Sequence, residues 1–154
     1  MHNIRPACFP QDTATVIDIF REYVTSPSAD LGFQNYEAEF AALPGAYAAP
    51  AGCVLLAMQG DDAHGCAALR PVDATTVEMK RVYVRPAARG AGLGRHLVER
   101  LLDEARRMGY TRIALDVLPE FTRAQRLYHS LGFEPAPPVG FNPVPGTLFL
   151  ARSL

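Results

Sequence analysis

Three glycines connect a segment with strand periodicity to a segment with helix periodicity, in the stretch Arg89-Gly90-Ala91-Gly92-Leu93-Gly94. Residues 78–85 precede this stretch as a predicted strand, and residues 93–108 follow it as a predicted helix. Glycines at such a junction let the backbone approach a ligand closely and leave N–H groups free to point outward. The unpaired donors of the first helical turn add partial positive charge. The stretch therefore predicts a cradle for a phosphate or pyrophosphate group.

The predicted helix after the glycines has the clearest amphipathic pattern in the chain. Its apolar side chains recur in steps of three and four, and Gly109 ends it. A further strand is predicted at residues 112–117. Because a crossover helix joins that strand to the strand before the glycines, the two strands are expected to be parallel.

The remaining segments extend this pair into a mixed sheet. Apolar runs separated by turn signals predict an antiparallel meander at 53–58, 65–70 and 77–84. The other elements expected are helices near 13–24, 36–43 and 121–131 and strands near 4–7, 133–134 and 147–151. We expect a single α/β domain over residues 1–154, with a mixed sheet of about seven strands flanked on both faces by about four helices.

Alternation along the central strand assigns its side chains to two faces. One face is predicted to carry Glu78, Lys80, Val82 and Val84, and the other Met79, Arg81 and Tyr83. A carboxylate on a central strand is costly to bury unless it is paired or hydrogen-bonded. Glu78 therefore either has a chemical role or forms a salt bridge with Lys80 or Arg81.

Charge and composition exclude several classes of protein. The formal net charge of −1 gives no case for binding nucleic acid or an anionic membrane. No apolar run approaches the length of a membrane span, and the N-terminus does not resemble a secretory signal. The three cysteines lie far apart, so we expect buried thiols in a reducing cytoplasm, with no disulfide and no metal site.

Three glycine-rich phosphate motifs can be compared with the stretch. A Walker A loop requires Lys-Ser/Thr after its last glycine, but Arg95-His96 stands there. A dinucleotide fingerprint requires G-x-G-x-x-G and an opening β-α-β unit, and neither is present. The third motif, Arg/Gln-x-x-Gly-x-Gly/Ala, is matched position for position by Arg89, Gly92 and Gly94.

With this motif the sequence resembles the GCN5-related N-acetyltransferase family. The strand ending Val82-Tyr83-Val84-Arg85-Pro86 precedes the glycines at the family's spacing. A second signature is matched by Ala124-x-x-Leu127-Tyr128-x-x-Leu131-Gly132-Phe133. The resemblance covers most of the chain, and it implies this family's fold and an N-acetyltransferase that uses acetyl-CoA as cosubstrate.

The resemblance also implies where acetyl-CoA binds. The pantetheine arm would lie along the strand and bond to the backbone of Val82 and Val84. The pyrophosphate would be surrounded, mostly through backbone N–H groups, by Arg89, Gly90, Ala91, Gly92, Leu93, Gly94 and Arg95.

Acetyl transfer to an amine requires a base, an acid for the departing thiolate and a donor for the carbonyl oxygen. By resemblance, Tyr128 lies near the sulfur and is the candidate acid. Glu78 is the candidate base, acting directly or through water. The backbone N–H of Val82 is the candidate donor. The alternatives are a core role for Tyr128 and a salt bridge for Glu78.

The acceptor is expected to be a small-molecule primary amine. Asp116 is a candidate contact because it ends the parallel strand, where ligand-proximal residues gather in open sheets. Tyr36, Glu37, Glu39 and Phe141 are further candidates, because the resemblance places the acceptor beside the early helices and a C-terminal loop at residues 141–146. The alternatives are a protein N-terminus or lysine as acceptor, or a non-catalytic acyl-CoA-binding module. Edge-strand pairing into a homodimer is also compatible with the sequence.

Overall fold

The computed structural model describes residues 2–154 and contains seven strands and four helices, as predicted. The strands are β1 (Asn3–Pro6), β2 (Cys53–Gln59), β3 (Asp62–Pro71), β4 (Thr76–Val84), β5 (Arg112–Val117), β6 (Glu134–Pro135) and β7 (Leu148–Ser153). The helices are α1 (Thr13–Val24), α2 (Tyr36–Ala41), α3 (Leu93–Arg107) and α4 (Thr122–Ser130). One-turn 3₁₀ helices lie at Gly32–Gln34, Gly45–Tyr47 and Pro86–Ala88.

All seven strands form one mixed sheet in the order β1-β2-β3-β4-β5-β7-β6. The only parallel pair among the described strands is β4 with β5, which confirms the expectation from the crossover helix. Their ladder has three residue pairs, Thr76–Arg112, Val77–Ile113 and Glu78–Ala114. Both strands continue beyond the ladder without pairing to each other, so the sheet has a gap between residues 79–84 of β4 and residues 115–117 of β5.

Two apolar cores cover the two faces of the sheet. The first core lies under α3 and α4, where the predicted apolar stripe of α3 is buried. The second core lies under α1 and α2 and includes Val16, Ile19 and Phe20 of α1, all fully buried. Helices on both faces are therefore confirmed, and the gap between β4 and β5 lies between the two cores.

A β-bulge at Arg81 interrupts β4. Between two paired positions β3 advances two residues, from Cys66 to Ala68, while β4 advances three, from Lys80 to Tyr83. Arg81 has a φ of 60°, which is uncommon for a residue with a side chain. The extra residue changes which face the following side chains point to.

The bulge makes the predicted assignment of β4 side chains wrong beyond Lys80. Val82 and Val84 pack on the α3 side, as Met79 does, whereas Tyr83 packs on the α1 side. Glu78 lies across from Arg70 on the α1 side of the sheet. The side chain of Val82 and the charged side chains before the bulge thus lie on opposite faces of the sheet.

The side chain of Arg81 ties the bulge to the segment that contains α1 and α2. It is almost completely buried, and its Nε and Nη2 donate to the two carboxylate oxygens of Glu39, each at 3.1 Å. Its Nη1 donates to Gln34. The bulge is therefore stabilised by a buried, charge-assisted network.

Gly52 is expected to tolerate no side chain. A Cβ there would lie 2.4 Å from the carbonyl oxygen of Leu69 and 3.0 Å from that of Ala46, both rigid backbone atoms. Gly52→Ala should lower the free energy of unfolding by about 2–3 kcal/mol, measured by urea denaturation. Gly140→Ala is the control, because its Cβ would meet only an ordinary contact at 3.9 Å. Equal stability of the two variants would contradict the prediction.

Candidate active site

The glycine stretch forms the turn into α3. Gly90 and Gly92 have φ values of 93° and 76°, in the left-handed region that favours glycine. Gly92 is the N-cap of α3, and no side chain caps this end. The first intrahelical bond comes from His96 N–H to Gly92, so the N–H groups of the preceding first-turn residues are available to a ligand. This is the geometry of an anion site at a helix N-terminus.

A cleft of about 480 Å³ extends from this turn along β4 to α4. Its volume is within the range of small-molecule sites. From the predicted cofactor set it is lined by Val82, Val84, Arg89, Gly90, Gly92, Leu93 and Gly94. The cleft therefore joins both predicted halves of the cofactor site into one continuous surface.

Arg89, Arg95 and Ala91 differ in position from the other predicted cofactor residues. The Nε of Arg89 donates to the carbonyl oxygen of Val84 at 2.9 Å, and its guanidinium lies 5.6 Å from the ring centre of Tyr83. Arg95 does not line the cleft and donates to the hydroxyl of Ser130 at 2.7 Å. The side chain of Ala91 does not line it either.

A second cavity of about 40 Å³, here called the gap cavity, occupies the opening between β4 and β5. Lys80, Arg81 and Asp116 line it from the strands, and Gln34 lines it from the α1–α2 segment. It shares five lining residues with the cleft, Tyr23, Val82, Phe121, Ala124 and Tyr128. The two spaces meet at these residues, in the middle of the sheet.

Tyr128 lies at this meeting point. It is buried on α4, and its ring packs edge-on against Phe133 with centroids 5.7 Å apart. Burial raises the pKa of its phenol above the ordinary value of 10.0, and nearby Tyr23 and Asp116 raise it further. The phenol therefore holds its proton at neutral pH and can donate it to a departing anion.

Glu78 is buried beside the gap cavity without lining it. Its Oε1 accepts a hydrogen bond from Nε of Arg70 at 2.9 Å, across the β3–β4 ladder. The predicted salt-bridge partners Lys80 and Arg81 are thus wrong, and the partner comes from the neighbouring strand. Its Oε2 faces Gly140 of the C-terminal loop.

Asp116 brings a second carboxylate into the gap cavity. Its Oδ1 lies 3.9 Å from Nζ of Lys80, and its Oδ2 accepts a hydrogen bond from Asn142 at 2.9 Å. Asn142 in turn accepts from the N–H of Val144 at 3.1 Å. Asp116 therefore fastens the C-terminal loop next to the cavity.

The other predicted acceptor contacts lie outside both cavities. Glu37 forms an exposed salt bridge with Arg21 at 2.8 Å. Tyr36 packs against Phe40, with ring centroids 5.7 Å apart. Phe141 is 76% exposed and meets the ring of Phe33 edge-on. Phe33 and Phe141 connect the 3₁₀ turn before α2 to the C-terminal loop.

Tyr23, Gln34 and Lys80 are among the residues that line the gap cavity and that the sequence does not predict as site residues. Tyr23 and Gln34 have no distinguishing pattern, because Tyr23 belongs to an ordinary apolar helix stripe and Gln34 to a loop. The sequence predicts for Lys80 only a position on one face of the strand and a candidate salt bridge to Glu78. Lys80 is the only lysine in the sequence, which is the signal that could have singled it out.

The described part of the chain contains neither a metal-binding cluster nor a membrane-spanning helix. Within residues 2–154 no group of three or more His, Cys, Asp or Glu side chains is placed to hold a metal ion. No helix in that range combines the length and apolar character needed to cross a bilayer. The expectation of three buried cysteines is wrong for Cys8, which is exposed, whereas Cys66 is fully buried.

Comparison with known sequences gives a family match. Residues 14–133 match the family model described as "Acetyltransferase (GNAT) family". An uncharacterised N-acetyltransferase of Schizosaccharomyces pombe is 36% identical over 143 residues, covering 92% of this chain and 88% of that protein. A Salmonella typhimurium protein named L-methionine sulfoximine/L-methionine sulfone acetyltransferase is 50% identical over 52 residues, covering 34% of this chain and 30% of that protein.

A solved structure agrees with this match over the full fold. A proposed acetyltransferase from Salmonella typhimurium, solved with its cofactor acetyl-CoA, has a TM-score of 0.73 and 28% identity. The alignment covers 99% of this chain and 94% of that chain.

Proposed function

Because this chain belongs to the acetyltransferase (GNAT) family and is an acetyl-CoA-dependent N-acetyltransferase, we propose that it acetylates a primary amine of a small molecule by direct transfer in a ternary complex. One observation carries this proposal. The cleft and the gap cavity meet at Tyr128, so a thioester and an amine can reach the same point from opposite faces of the sheet.

Direct transfer is further supported by which residues line the meeting point. A two-step mechanism through an acyl-cysteine would need a thiol there, and no cysteine lines the cleft or the gap cavity in the described chain. Cys66 is fully buried, and burial raises the pKa of its thiol well above the ordinary 9.0. A protonated thiol is a poor nucleophile.

We assign the cofactor contacts to the residues that line the cleft. The backbone of Val82 and Val84 would hold the pantetheine arm, and the pyrophosphate would be held by Arg89, Gly90, Gly92, Leu93 and Gly94. Gly90 and Gly92 fit this role, because no protein atom lies within 4 Å of a Cβ position at either residue. The glycines are needed for their backbone conformation, and the space in front of them is open.

The chemistry divides between one phenol and the nearby carboxylates. A neutral amine attacks the thioester carbon, a C–N bond forms and the C–S bond breaks. Tyr128 gives its proton to the departing sulfur, and the backbone N–H of Val82 donates to the carbonyl oxygen. The proton lost from nitrogen goes to Glu78, directly or through water, and Asp116 orients the amine.

A small acceptor is favoured by the size and closure of the site. The gap cavity measures about 40 Å³, and Asn142 fastens the C-terminal loop to Asp116 in its wall. A protein substrate would require that loop to move away. The Salmonella protein named for methionine sulfoximine and methionine sulfone is a relative whose substrates are small molecules by its name.

The proposal is tested by incubating the protein with acetyl-CoA and a panel of amines and following the release of free CoA thiol. We expect amine-dependent release with at least one small amine, and intersecting rather than parallel double-reciprocal lines when both substrates are varied. The panel should include peptides with free N-termini and lysines. Release with peptides alone would overturn the small-molecule acceptor, and parallel lines would overturn direct transfer.

A further inference from the structure

We propose that the acceptor is an α-amino acid, in which one carbon separates the amine from the carboxylate. The carboxylate binds Lys80 while the amine lies at Asp116. The inference rests on the proposed function, because it names the substrate class of the same site. It is carried by the surroundings of Lys80 in the gap cavity.

Lys80 is a buried cation with no hydrogen-bond partner. Its side chain is 8% exposed and lines the gap cavity, and no hydrogen bond from its Nζ is present within residues 2–154. The ion pair with Asp116 spans 3.9 Å, which is longer than a hydrogen bond. Burying an ammonium group without such partners is costly. A ligand that supplies an anion to Nζ would remove that cost.

The neighbouring charges on the same face of the sheet are already paired. Arg70 is bonded to Glu78 at 2.9 Å, and Arg81 is bonded to both oxygens of Glu39. Lys80 therefore differs from the two arginines beside it, since its partner is distant and it lines a cavity. Of these three cations, Lys80 is the one whose partner lies beyond hydrogen-bond distance and whose side chain is largely buried at the wall of the gap cavity.

The spacing of Lys80 and Asp116 resembles the spacing of charges in an amino acid. A single carbon separates the amine from the carboxylate in that class, so the two groups are about as far apart as Nζ and Oδ1. An amino acid lying antiparallel to this pair would place its carboxylate on Lys80 and its amine on Asp116. The amine would then be held at the meeting point with Tyr128, which lines the same cavity.

Burial also acts on the protonation of Lys80. It lowers the pKa of Lys80, an effect that Asp116 and Glu78 oppose and that Arg81 and Arg70 strengthen. A bound carboxylate would raise that pKa again, so acceptor binding and protonation of Lys80 should reinforce each other. If Lys80 were instead a neutral general base, its removal would slow transfer to every amine equally.

The kinetic test uses pairs of acceptors that differ only in the carboxylate, such as L-methionine with 3-(methylthio)propylamine and L-phenylalanine with 2-phenylethylamine. For the wild type we expect a higher kcat/KM for the amino acid of at least one pair. Lys80→Met should lower that value at least about 30-fold and change the value for the matching amine little. Arg112→Met, which removes an exposed cation at the start of β5, is the control and should preserve the preference.

Three kinetic outcomes overturn the inference. They are equal wild-type use of both members of every pair, an equal loss for both members in Lys80→Met, and loss of the preference in Arg112→Met. If no amine of any kind is acetylated, the proposed function itself fails, so the two failures are distinguishable.

The single lysine allows a binding test that does not depend on turnover. Protein labelled with [6-¹³C]lysine should give one side-chain NMR signal, from Lys80. In the presence of CoA, an amino acid from the panel should shift this signal and raise the pH at which it titrates, whereas the matching amine should do neither. A signal that no amino acid moves would overturn the inference. The Lys80→Met variant should lack the signal.

Discussion

Tyr128→Phe is expected to lower kcat by about 10²- to 10⁴-fold, the usual contribution of a positioned general acid. The affinity for CoA should be unchanged, because phenylalanine keeps the ring and its packing against Phe133. The thiolate must then leave without a proton from the enzyme. Thiol release in the steady state measures kcat, and calorimetric titration with CoA measures the affinity.

The pH dependence gives this prediction a second readout. Because burial raises the pKa of Tyr128 above 10.0, its phenol stays protonated through the working range, and loss of the acid should begin only above pH 10. The wild type should therefore show no decline from this group between pH 7 and 9. Tyr110→Phe is the matched control, since it removes a hydroxyl bonded to Ala51 O, away from the cleft. A wild type without turnover, or a Tyr128→Phe variant with unchanged turnover, would contradict the role of Tyr128 as the general acid.

Arg81→Met should lower the free energy of unfolding by about 3–5 kcal/mol, the cost of breaking a buried ion pair from one side. The carboxylate of Glu39 is mostly buried and would lose both guanidinium donors, retaining only the hydroxyl of Tyr47 at 3.0 Å. Gln34 would lose its partner as well. Urea denaturation followed by circular dichroism measures the change.

A matched pair on the surface provides the control. Arg21 and Glu37 form the same two-bond arrangement at 2.8 and 2.9 Å, but both side chains are largely exposed. Arg21→Met should therefore cost less than about 1 kcal/mol. The double variant Arg81→Met, Glu39→Leu should recover much of the loss, because it removes the stranded charge. If Arg81→Met and Arg21→Met cost the same, the buried network does not hold the bulge.

The sequence predicts the fold well where local patterns are strong. The apolar stripe of α3 and the glycines before it define one end of the cofactor cleft without any tertiary information. The parallel pairing of β4 with β5 follows from the length of the crossover, which leaves few topologies. The cleft residues Val82, Val84 and Gly92 follow from the same pattern, together with the family resemblance.

The features that were not predicted depend on contacts between distant segments. A bulge adds one residue to a strand without a signal in composition, so the faces of β4 are misassigned beyond Lys80. The partner of Glu78 follows from the β3–β4 register, which the turn at 72–75 sets and the sequence leaves open. Asn142 reaches Asp116 from a loop whose course no periodicity describes.

The short ladder between β4 and β5 has a further consequence for ligand entry. The sheet consists of two half-sheets, β1–β4 and β5–β7, which are joined by three residue pairs at one end and connected along the chain by the crossover helix α3. A molecule that enters the open end of the gap between β4 and β5 breaks no interstrand hydrogen bond. The binding free energy is therefore available for positioning the reacting groups, since no hydrogen bond between the strands has to be broken when the ligand binds.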